Sequence, residues 1–220
     1  MSINKPYKGV GDLPGVLPIF PLPGVLLLPR GELPLNIFEP RYLAMVDAAL
    51  KTDRLIVMIQ PALKAAAQEP PPLEAVGCAG RLTQFAETGD GRYMLALTGV
   101  ARCRIRNELP VTTPYRQCEV DFAEFREDFT AAACEGGVDR GQILQTLKKF
   151  ADANKLKIDW DEAKTAPIEI LVNALSMMSP FGPAEKQALL EARDLKTRAE
   201  VLIAIAEIEI ARRDAPRHLQ

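Results

Sequence analysis

Residues 17–42 read LPIFPLPGVLLLPRGELPLNIFEPRY, and this stretch decides how the chain begins to fold. Six prolines interrupt an otherwise apolar run: Pro18, Pro21, Pro23, Pro29, Pro34 and Pro40. Because proline donates no backbone hydrogen bond, the run predicts irregular edge strands and bends rather than a central strand. The prolines also break the run well short of the roughly 20 unbroken apolar residues that a membrane-spanning helix needs.

The stretch ends in five residues that introduce a helix: Phe38, Glu39, Pro40, Arg41 and Tyr42. Proline suits the first helical position, and the apolar spacing that follows predicts a helix over residues 40–51. We expect Glu39 to accept hydrogen bonds from the backbone at the helix start and Arg41 to pair with a carboxylate. Phe38 and Tyr42 are expected in the core, so the whole motif is interpreted as structural.

Short strands and turns continue to about residue 125. The pattern predicts strands at residues 55–59, 76–87, 92–98, 102–106 and 116–125. Gly89-Asp90-Gly91 predicts one turn and Gly99 another, because glycine adopts positive φ at low cost. Strands in such close succession favour an antiparallel, barrel-like sheet. The first 15 residues are expected to be a flexible lead-in.

From about Asp128 the pattern becomes helical. Pro167 and Pro183 each open a predicted helix, and Asp194 is placed to cap a final one through about Arg213. Asp159-Trp160-Asp161 is expected in a loop between helices. We therefore divide the chain into a lead-in (1–15), a β-rich part (16–126) and a helical part (127–220), which could still pack as one unit.

Several blocks of sequence resemble the start of the Lon-protease substrate-binding domain. They are residues 20–22 (FPL), Pro29, residues 35–42 (LNIFEPRY), 76–77, 89–93, 97–99 and 102–105. Their order and spacing resemble the family over about residues 15–215. The resemblance implies an α+β fold, with a PUA-like β pseudo-barrel followed by a helical bundle. It also implies recognition of unfolded or partly folded polypeptides. The sequence stops where the Lon ATPase would begin, so we expect a stand-alone module.

Residue types for catalysis are scarce. The single histidine is His218, and the serines are Ser2, Ser176 and Ser179, which argues against a Ser-His-Asp triad. A Ser-Lys dyad is compatible with the residue types, but no Lon catalytic motif surrounds these serines. Neither GxxxxGK[ST] nor GxGxxG occurs. We therefore expect no catalytic residue, and we regard an ATP-independent peptidase as the weakest of three functions.

Metal and cofactor sites are not predicted either. The four cysteines, Cys78, Cys103, Cys118 and Cys134, are widely spaced without a CxxC pair. In a reducing compartment they are most simply small buried hydrophobes. The N-terminus has no secretory signal pattern, so we expect a cytoplasmic protein with no membrane partner. Solvation or helix capping is expected for the acidic pairs near Asp159 and Glu207.

Two segments are candidates for binding polypeptides. The first is the long, proline-rich loop at residues 60–75, whose candidate contacts are Leu63, Pro70, Pro71, Pro72 and Leu73. The second is the last helix, residues 201–211, which is apolar around much of its circumference. We favour packing of this helix within the chain, although a homodimer is compatible with the pattern.

The main hypothesis is a polypeptide-recognition module that acts as an adaptor or holdase, with a separate protease as a candidate partner. The alternative is RNA binding through Arg102, Arg104 and Arg106, which are two residues apart and so share one strand face. The net charge of −2 and the lack of interleaved aromatic residues disfavour nucleic acid. A solvated sheet face is the simpler interpretation of the three arginines.

Overall fold

The computed structural model of the chain describes residues 6–62, 70–130, 137–155 and 158–214. The strands in these residues are β1 (Val16–Pro21), β2 (Glu32–Ile37), β3 (Leu55–Ile59), β4 (Val76–Glu87), β5 (Tyr93–Glu108) and β6 (Arg116–Asp121). The α-helices are α1 (Pro40–Leu50), α2 (Arg140–Asn154), α3 (Trp160–Thr165), α4 (Ile168–Met178), α5 (Pro183–Glu191) and α6 (Leu195–Asp214). Short 3₁₀ helices cover Val10–Asp12 and Ala123–Phe129.

The strands form one sheet that closes on itself. Their order is β2-β5-β4-β3-β1-β6, and an additional pairing of β5 with β6 completes a ring of five strands with β2 attached outside it. This arrangement and the helices that follow confirm the predicted α+β class. The expectation of a purely antiparallel sheet was wrong in one place, because β1 runs parallel to β3.

The prediction that the proline-rich run forms only edge strands was also wrong for β1. This strand lies between β3 and β6. Its prolines are tolerated because each neighbour pairs with only part of it: β6 pairs with Val16–Ile19 and β3 with Ile19–Pro21. Neither ladder therefore needs a hydrogen bond from every residue of β1.

Gly99 lies inside a continuous β5 and not in the predicted turn. Its N–H donates to the carbonyl of Gly31, and its own carbonyl accepts from Arg30 N–H, both at 2.8 Å. A Cβ atom at this position would lie 2.0 Å from the carbonyl oxygen of Leu28. Glycine is thus required because the 28–31 segment crosses β5 at backbone contact distance.

The motif that opens α1 behaves as expected in part. The helix begins at Pro40, and Tyr42 is buried with its ring 4.3 Å from that of Phe20. Arg41 Nε donates to Glu39 Oε2 at 2.9 Å, so Arg41 has a carboxylate partner. Glu39 does not cap the helix with its side chain, and Phe38 is 61% exposed. Phe38 ends up outside because it follows the last paired residue of β2.

The helical half follows the predicted boundaries closely, with one addition. The segment at Asp159, expected as a loop, starts the short helix α3, and Asp159 Oδ1 accepts the N–H groups of Asp161 and Glu162 at 3.1 Å. Asp194 caps α6 as predicted, accepting the Thr197 N–H at 2.7 Å. No helix in the described part of the chain is long and apolar enough to cross a membrane.

The two halves share a continuous hydrophobic core. Polar contacts also join them: Gln60 Nε2 donates to the carbonyl of Pro183 at 2.9 Å, and Asn173 Nδ2 donates to the carbonyl of Pro29 at 3.1 Å. On α6, Leu202 and Ala206 are fully buried, so much of this helix is covered within the chain. Residues of the expected lead-in also make contacts, since Tyr7, Val10 and Leu13 pack against a second core cluster.

Candidate functional site

One helix of the bundle leaves an apolar face uncovered. Ile170, Ala174 and Met178 follow each other at intervals of four residues on α4, and we call them the α4 ridge. Ile170 is 54% exposed and Met178 is 82% exposed. The opposite face of α4 is buried through Leu171 and Val172. The ridge is therefore the outer side of a helix whose inner side holds the bundle together.

A groove lies on the bundle side of the ridge, and we call it the helix-side groove. It has a volume of about 340 Å³ and runs between α2, α3 and α4. Its apolar lining includes Leu147, Phe150, Ile158, Ala163, Leu171 and Leu175, together with the ridge. A groove of this size and lining can bury several apolar side chains of a ligand.

A second groove, the sheet-side groove, lies on the other flank of the ridge. Its volume is about 360 Å³, and the segment from Pro29 to Pro34 forms its far wall. Met177 lines it beside the ridge. Methionine side chains are flexible and polarisable, so Met177 and Met178 can adapt to apolar groups of different shape. The ridge and its two grooves thus form one apolar surface.

The charged groups around this surface are mainly acidic. Asp159 and Glu162 are the charged residues of the helix-side groove, and Glu32 lies on the sheet-side groove. None of the three forms an ion pair within the described residues. Glu169, on the same surface, pairs with Arg30. We call these acidic residues the acidic rim of the surface. Their surplus of negative charge would favour ligands that carry basic groups next to apolar ones.

The outer edge of β2 is poorly suited to accept an added strand. The hydrogen bond from Gly99 to Gly31 sets the alternation, so Leu33, Leu35 and Ile37 direct their backbone groups to β5. Glu32, Pro34 and Asn36 direct their backbone groups to the free edge, where Pro34 has no N–H to donate. A side-chain groove is a better basis for binding here than strand pairing.

The loop candidates fall partly outside the described residues, as Leu63 does. Pro70 is exposed, whereas Pro71 and Pro72 accept hydrogen bonds at 2.8 Å from Arg116 Nη1 and Ala62 N–H. Leu73 packs against the second core cluster. The described end of the loop, residues 70–73, is thus held against the barrel by hydrogen bonds and packing. Polypeptide binding by the loop stays a prediction.

The structure does not support a common anion-binding face for the three arginines. Arg102 is only 3% exposed, so it is neither a solvated residue nor an RNA contact. Its side chain holds Asp128 through two nitrogens, with Nε–Oδ2 at 2.9 Å and Nη2–Oδ1 at 2.8 Å, and Nη1 donates to the carbonyl of Leu190 at 3.0 Å. The arginine turns inward because α5 packs its C-terminal end against this side of the barrel, where its last carbonyls need donors.

Arg104 and Arg106 are more accessible, but each has its own carboxylate. Arg104 forms a bidentate pair with Glu124 at 2.7 and 2.8 Å, and this pair raises the pKa of Arg104 and lowers that of Glu124. Arg106 pairs with Asp121. The positive charge that RNA binding would require is therefore neutralised locally.

Groups that could do chemistry are engaged in structural contacts. Ser176 is buried and donates to the carbonyl of Val172 at 2.7 Å, while Lys186 Nζ donates to the carbonyl of Met177 at 3.3 Å. Burial lowers the pKa of Lys186, yet among the described residues no hydrogen bond joins it to Ser176 or Ser179. The described thiols are buried, and no three His, Cys, Asp or Glu residues of the described ranges are grouped as a metal site.

The sequence analysis predicted a helix after Pro167 but did not identify the ridge as a candidate site. The pattern of α4 contained a signal: its apolar residues occupy more of the circumference than one buried face requires. Ile170, Ala174 and Met178 form a second stripe beside that of Ile168 and Leu171. The sequence does not show which stripe the other helices cover.

Comparison with known proteins agrees with this architecture. Lon protease 2 of Myxococcus xanthus is 29% identical over 206 residues, which is 88% of this chain and 24% of that protein. The Lon protease of Roseiflexus castenholzii is 26% identical over 215 residues, 95% of this chain and 26% of that protein. The chain thus spans about a quarter of the length of these curated relatives.

Solved structures show the same fold. A Lon N-terminal domain protein from Xanthomonas campestris matches with a TM-score of 0.62 and 22% identity, over 86% of this chain and 97% of that one. The N-terminal domain of the Mycobacterium avium complex Lon protease matches with a TM-score of 0.64 and 16% identity, over 93% and 100%. The family model of the ATP-dependent protease La (LON) substrate-binding domain matches residues 16–207. Because that match covers most of the sequence, the chain belongs to the Lon substrate-binding domain family.

Proposed function

We propose that this chain is a non-catalytic polypeptide-recognition module that binds exposed apolar segments at the α4 ridge and its two grooves. The observation that carries the proposal is the exposure of Ile170 and Met178 between two apolar grooves. Membership in a family named for substrate binding supports the same activity. The adaptor or holdase role, with client polypeptides or a separate protease as partners, is part of this proposal.

The binding energy would come from burial of apolar side chains. Burying a large apolar side chain contributes about 1.5–3 kcal/mol, so two or three such contacts give weak, reversible binding after the cost of association. Weak binding suits a protein that must hold and release many different segments. The acidic rim then adds selectivity, favouring segments with lysine or arginine beside the apolar residues.

RNA binding and peptidase activity are less well supported by the same structure. Arg102 is buried, and Arg104 and Arg106 are paired, which leaves no continuous basic face at these positions. Ser176 and Lys186 bond to backbone carbonyls rather than to each other. A homodimer stays compatible with the exposed ridge, so sedimentation should accompany any binding experiment.

The direct test measures fluorescence anisotropy of a labelled, permanently unfolded polypeptide titrated with this protein at low and high salt. A double variant, Ile170→Gln with Met178→Gln, removes apolar area from the ridge while leaving the buried face of α4 unchanged. We expect its Kd to rise at least about tenfold, which corresponds to roughly 1.4 kcal/mol. The unmodified protein should keep most of its affinity at high salt.

Met94→Gln is the matched control. Met94 is 58% exposed on β5 and is not among the residues that line either groove, so Met→Gln there should leave Kd within about twofold of the unmodified value. Equal losses in both variants, or no loss in either, would contradict binding at the ridge. Peptides flanked by lysine or by glutamate test the rim: we expect the lysine-flanked peptide to bind more tightly.

A further inference from the structure

A small cavity lies where the barrel meets the helical half, and the Arg30–Glu169 pair is part of its lining. Its volume is about 70 Å³. The residues that bear on the argument are Arg30, Arg102, Asp128, Glu169 and Arg198. Because one water needs about 10–15 Å³ of such space, the cavity can hold several waters or one small ion.

Arg198 of α6 lines this cavity with an unsatisfied donor. The residue is 3% exposed. Its Nε donates to the carbonyl of Leu189 at 3.0 Å, and its Nη1 donates to Asn173 Oδ1 at 3.0 Å. Its Nη2 is buried and has no hydrogen-bond partner within the described parts of the chain. A buried charged group with an unmade hydrogen bond is costly, so this atom favours a ligand that can accept one.

The nearby carboxylates already serve other arginines. Both oxygens of Asp128 accept from Arg102: the side-chain Nε and the backbone N–H reach Oδ2 at 2.9 Å, and Nη2 reaches Oδ1 at 2.8 Å. Glu169 Oε1 accepts from Arg30 Nε at 3.1 Å. Over the whole lining the charges balance, with Arg193, Asp194 and the exposed Glu127 added to these residues. Ion pairs join Arg30 to Glu169, Arg102 to Asp128 and Arg193 to Asp194. Among the described residues, Arg198 is therefore the arginine of the lining that has no ion pair.

We propose that the cavity binds one small monovalent anion, either a halide or a carboxylate group, on Arg198 Nη2. Such an anion would supply both the missing acceptor and a counter-charge for Arg198. A doubly charged anion fits less well, because Asp128 and Glu169 would repel its second charge. Burial and the charge of Arg102 lower the pKa of Arg198 to about 10, which is the electrostatic cost that a bound anion would offset. The proposal rests on its own observation, the unpartnered Arg198 Nη2, although Arg30 and Glu169 line both this cavity and the sheet-side groove.

Thermal unfolding of the full chain at constant ionic strength tests the site. Sodium gluconate, whose anion is too large for the cavity, is replaced stepwise by sodium chloride or sodium formate. We expect a saturable rise in Tm with chloride, formate or both, since a ligand that binds only the folded state stabilises it. Arg198→Met should abolish the rise, whereas Arg104→Met, which removes an exposed arginine, should retain it.

Two further measurements keep the proposal testable if Arg198→Met does not fold. Crystals of the unmodified protein grown in bromide should show an anomalous peak within hydrogen-bond reach of Arg198 Nη2. A tripeptide with a free C-terminal carboxylate, compared with its amide, separates capture of a chain end from capture of a free ion. No anion-specific rise in Tm together with no bromide peak would overturn the proposal.

Discussion

The arginines on the barrel surface and those at the junction with the helical half differ in how completely their donors are partnered. On the barrel, Arg104 and Arg106 each have a carboxylate of their own. Among the described residues of the helical half, Ile170 and Met178 of the α4 ridge are exposed, and Arg198 Nη2 has no hydrogen-bond acceptor. A side chain that lacks a packing contact or a hydrogen-bond acceptor in the folded chain can gain one from a ligand. Large apolar side chains such as Phe38 and Met94 are exposed on the barrel as well, but the two apolar grooves flank α4. Under the function proposed above, the barrel surface would be the scaffold and the helical half the part that binds.

This difference also explains why similar residue types have different roles. Arg102 and Arg104 are two positions apart on β5, yet one is buried under α5 and the other lies at the surface. A buried ion pair is expensive to break, because the remaining charge stays out of water. An exposed pair contributes little, because water and salt replace the partner.

The largest expected effect follows from removing the carboxylate between the two halves. Asp128→Asn would leave Arg102 and Arg198 buried without a full counter-charge. We expect the free energy of unfolding, measured by urea titration, to fall by about 3–5 kcal/mol. That loss is a large fraction of the roughly 5–15 kcal/mol that holds a typical domain folded.

Glu124→Gln is the control, since it weakens the exposed Arg104 pair without burying a charge. Its cost should lie within about 1 kcal/mol. If Asp128→Asn and Glu124→Gln lower the free energy of unfolding by similar amounts, burial does not make the Arg102–Asp128 pair more important than the Arg104–Glu124 pair. That result would contradict the difference drawn here between the barrel surface and the junction.

The next effect tests the crossing of the 28–31 segment over β5. Gly99→Ala places a Cβ against the Leu28 carbonyl and must push the backbone aside, so we expect a loss of about 1–3 kcal/mol or more. Gly15→Ala is matched, because nothing lies within 4 Å of a Cβ at Gly15. A stable Gly99→Ala variant would show that the segment can move away from β5 at little cost.

The sequence predicted the parts of the fold that depend on local chemistry. Pro40, Pro183 and Asp194 mark helix starts because their effects act within one turn, and the structure has helices there. The bounds of β3 and β4 match the predicted strands at 55–59 and 76–87, because β3 is a continuous apolar run and the turn at Gly89–Gly91 follows β4. These features need no knowledge of distant residues.

Features that depend on distant residues were predicted less well. The inward position of Arg102 requires Asp128 and the end of α5, which lies 88 residues further along the chain at Leu190. The exposure of Met178 depends on which faces the other helices cover. Gly99 was misassigned because the reason for glycine there is the Leu28 carbonyl and not a turn. The candidate site is built almost entirely from such contacts, which is why the loop and the arginines were proposed in its place.

The smallest of these effects tests whether α6 is positioned by its own cap or by the core around it. The Thr197 N–H lowers the pKa of Asp194, with a further contribution from Arg193. A carboxylate whose pKa is lowered in the folded state stabilises that state above its unfolded pKa of about 3.9 and loses this contribution as pH falls. Asp194→Ala should therefore cost about 1 kcal/mol at pH 7, and the difference from the unmodified protein should shrink below about pH 4.

Urea titrations at several pH values measure this difference, with Asp161→Ala as the control because Asp161 makes only an exposed pair with Lys164. A cost for Asp194→Ala that does not change with pH would assign the effect to lost packing rather than to the charged cap. Because Arg198 follows Asp194 by one helical turn, the cap also fixes where α6 directs that side chain. If the cap positions the start of α6, Asp194→Ala should reduce the chloride-dependent rise in Tm as well as the stability. If packing of Leu202 and Ala206 positions the helix instead, the variant should keep the full rise in Tm.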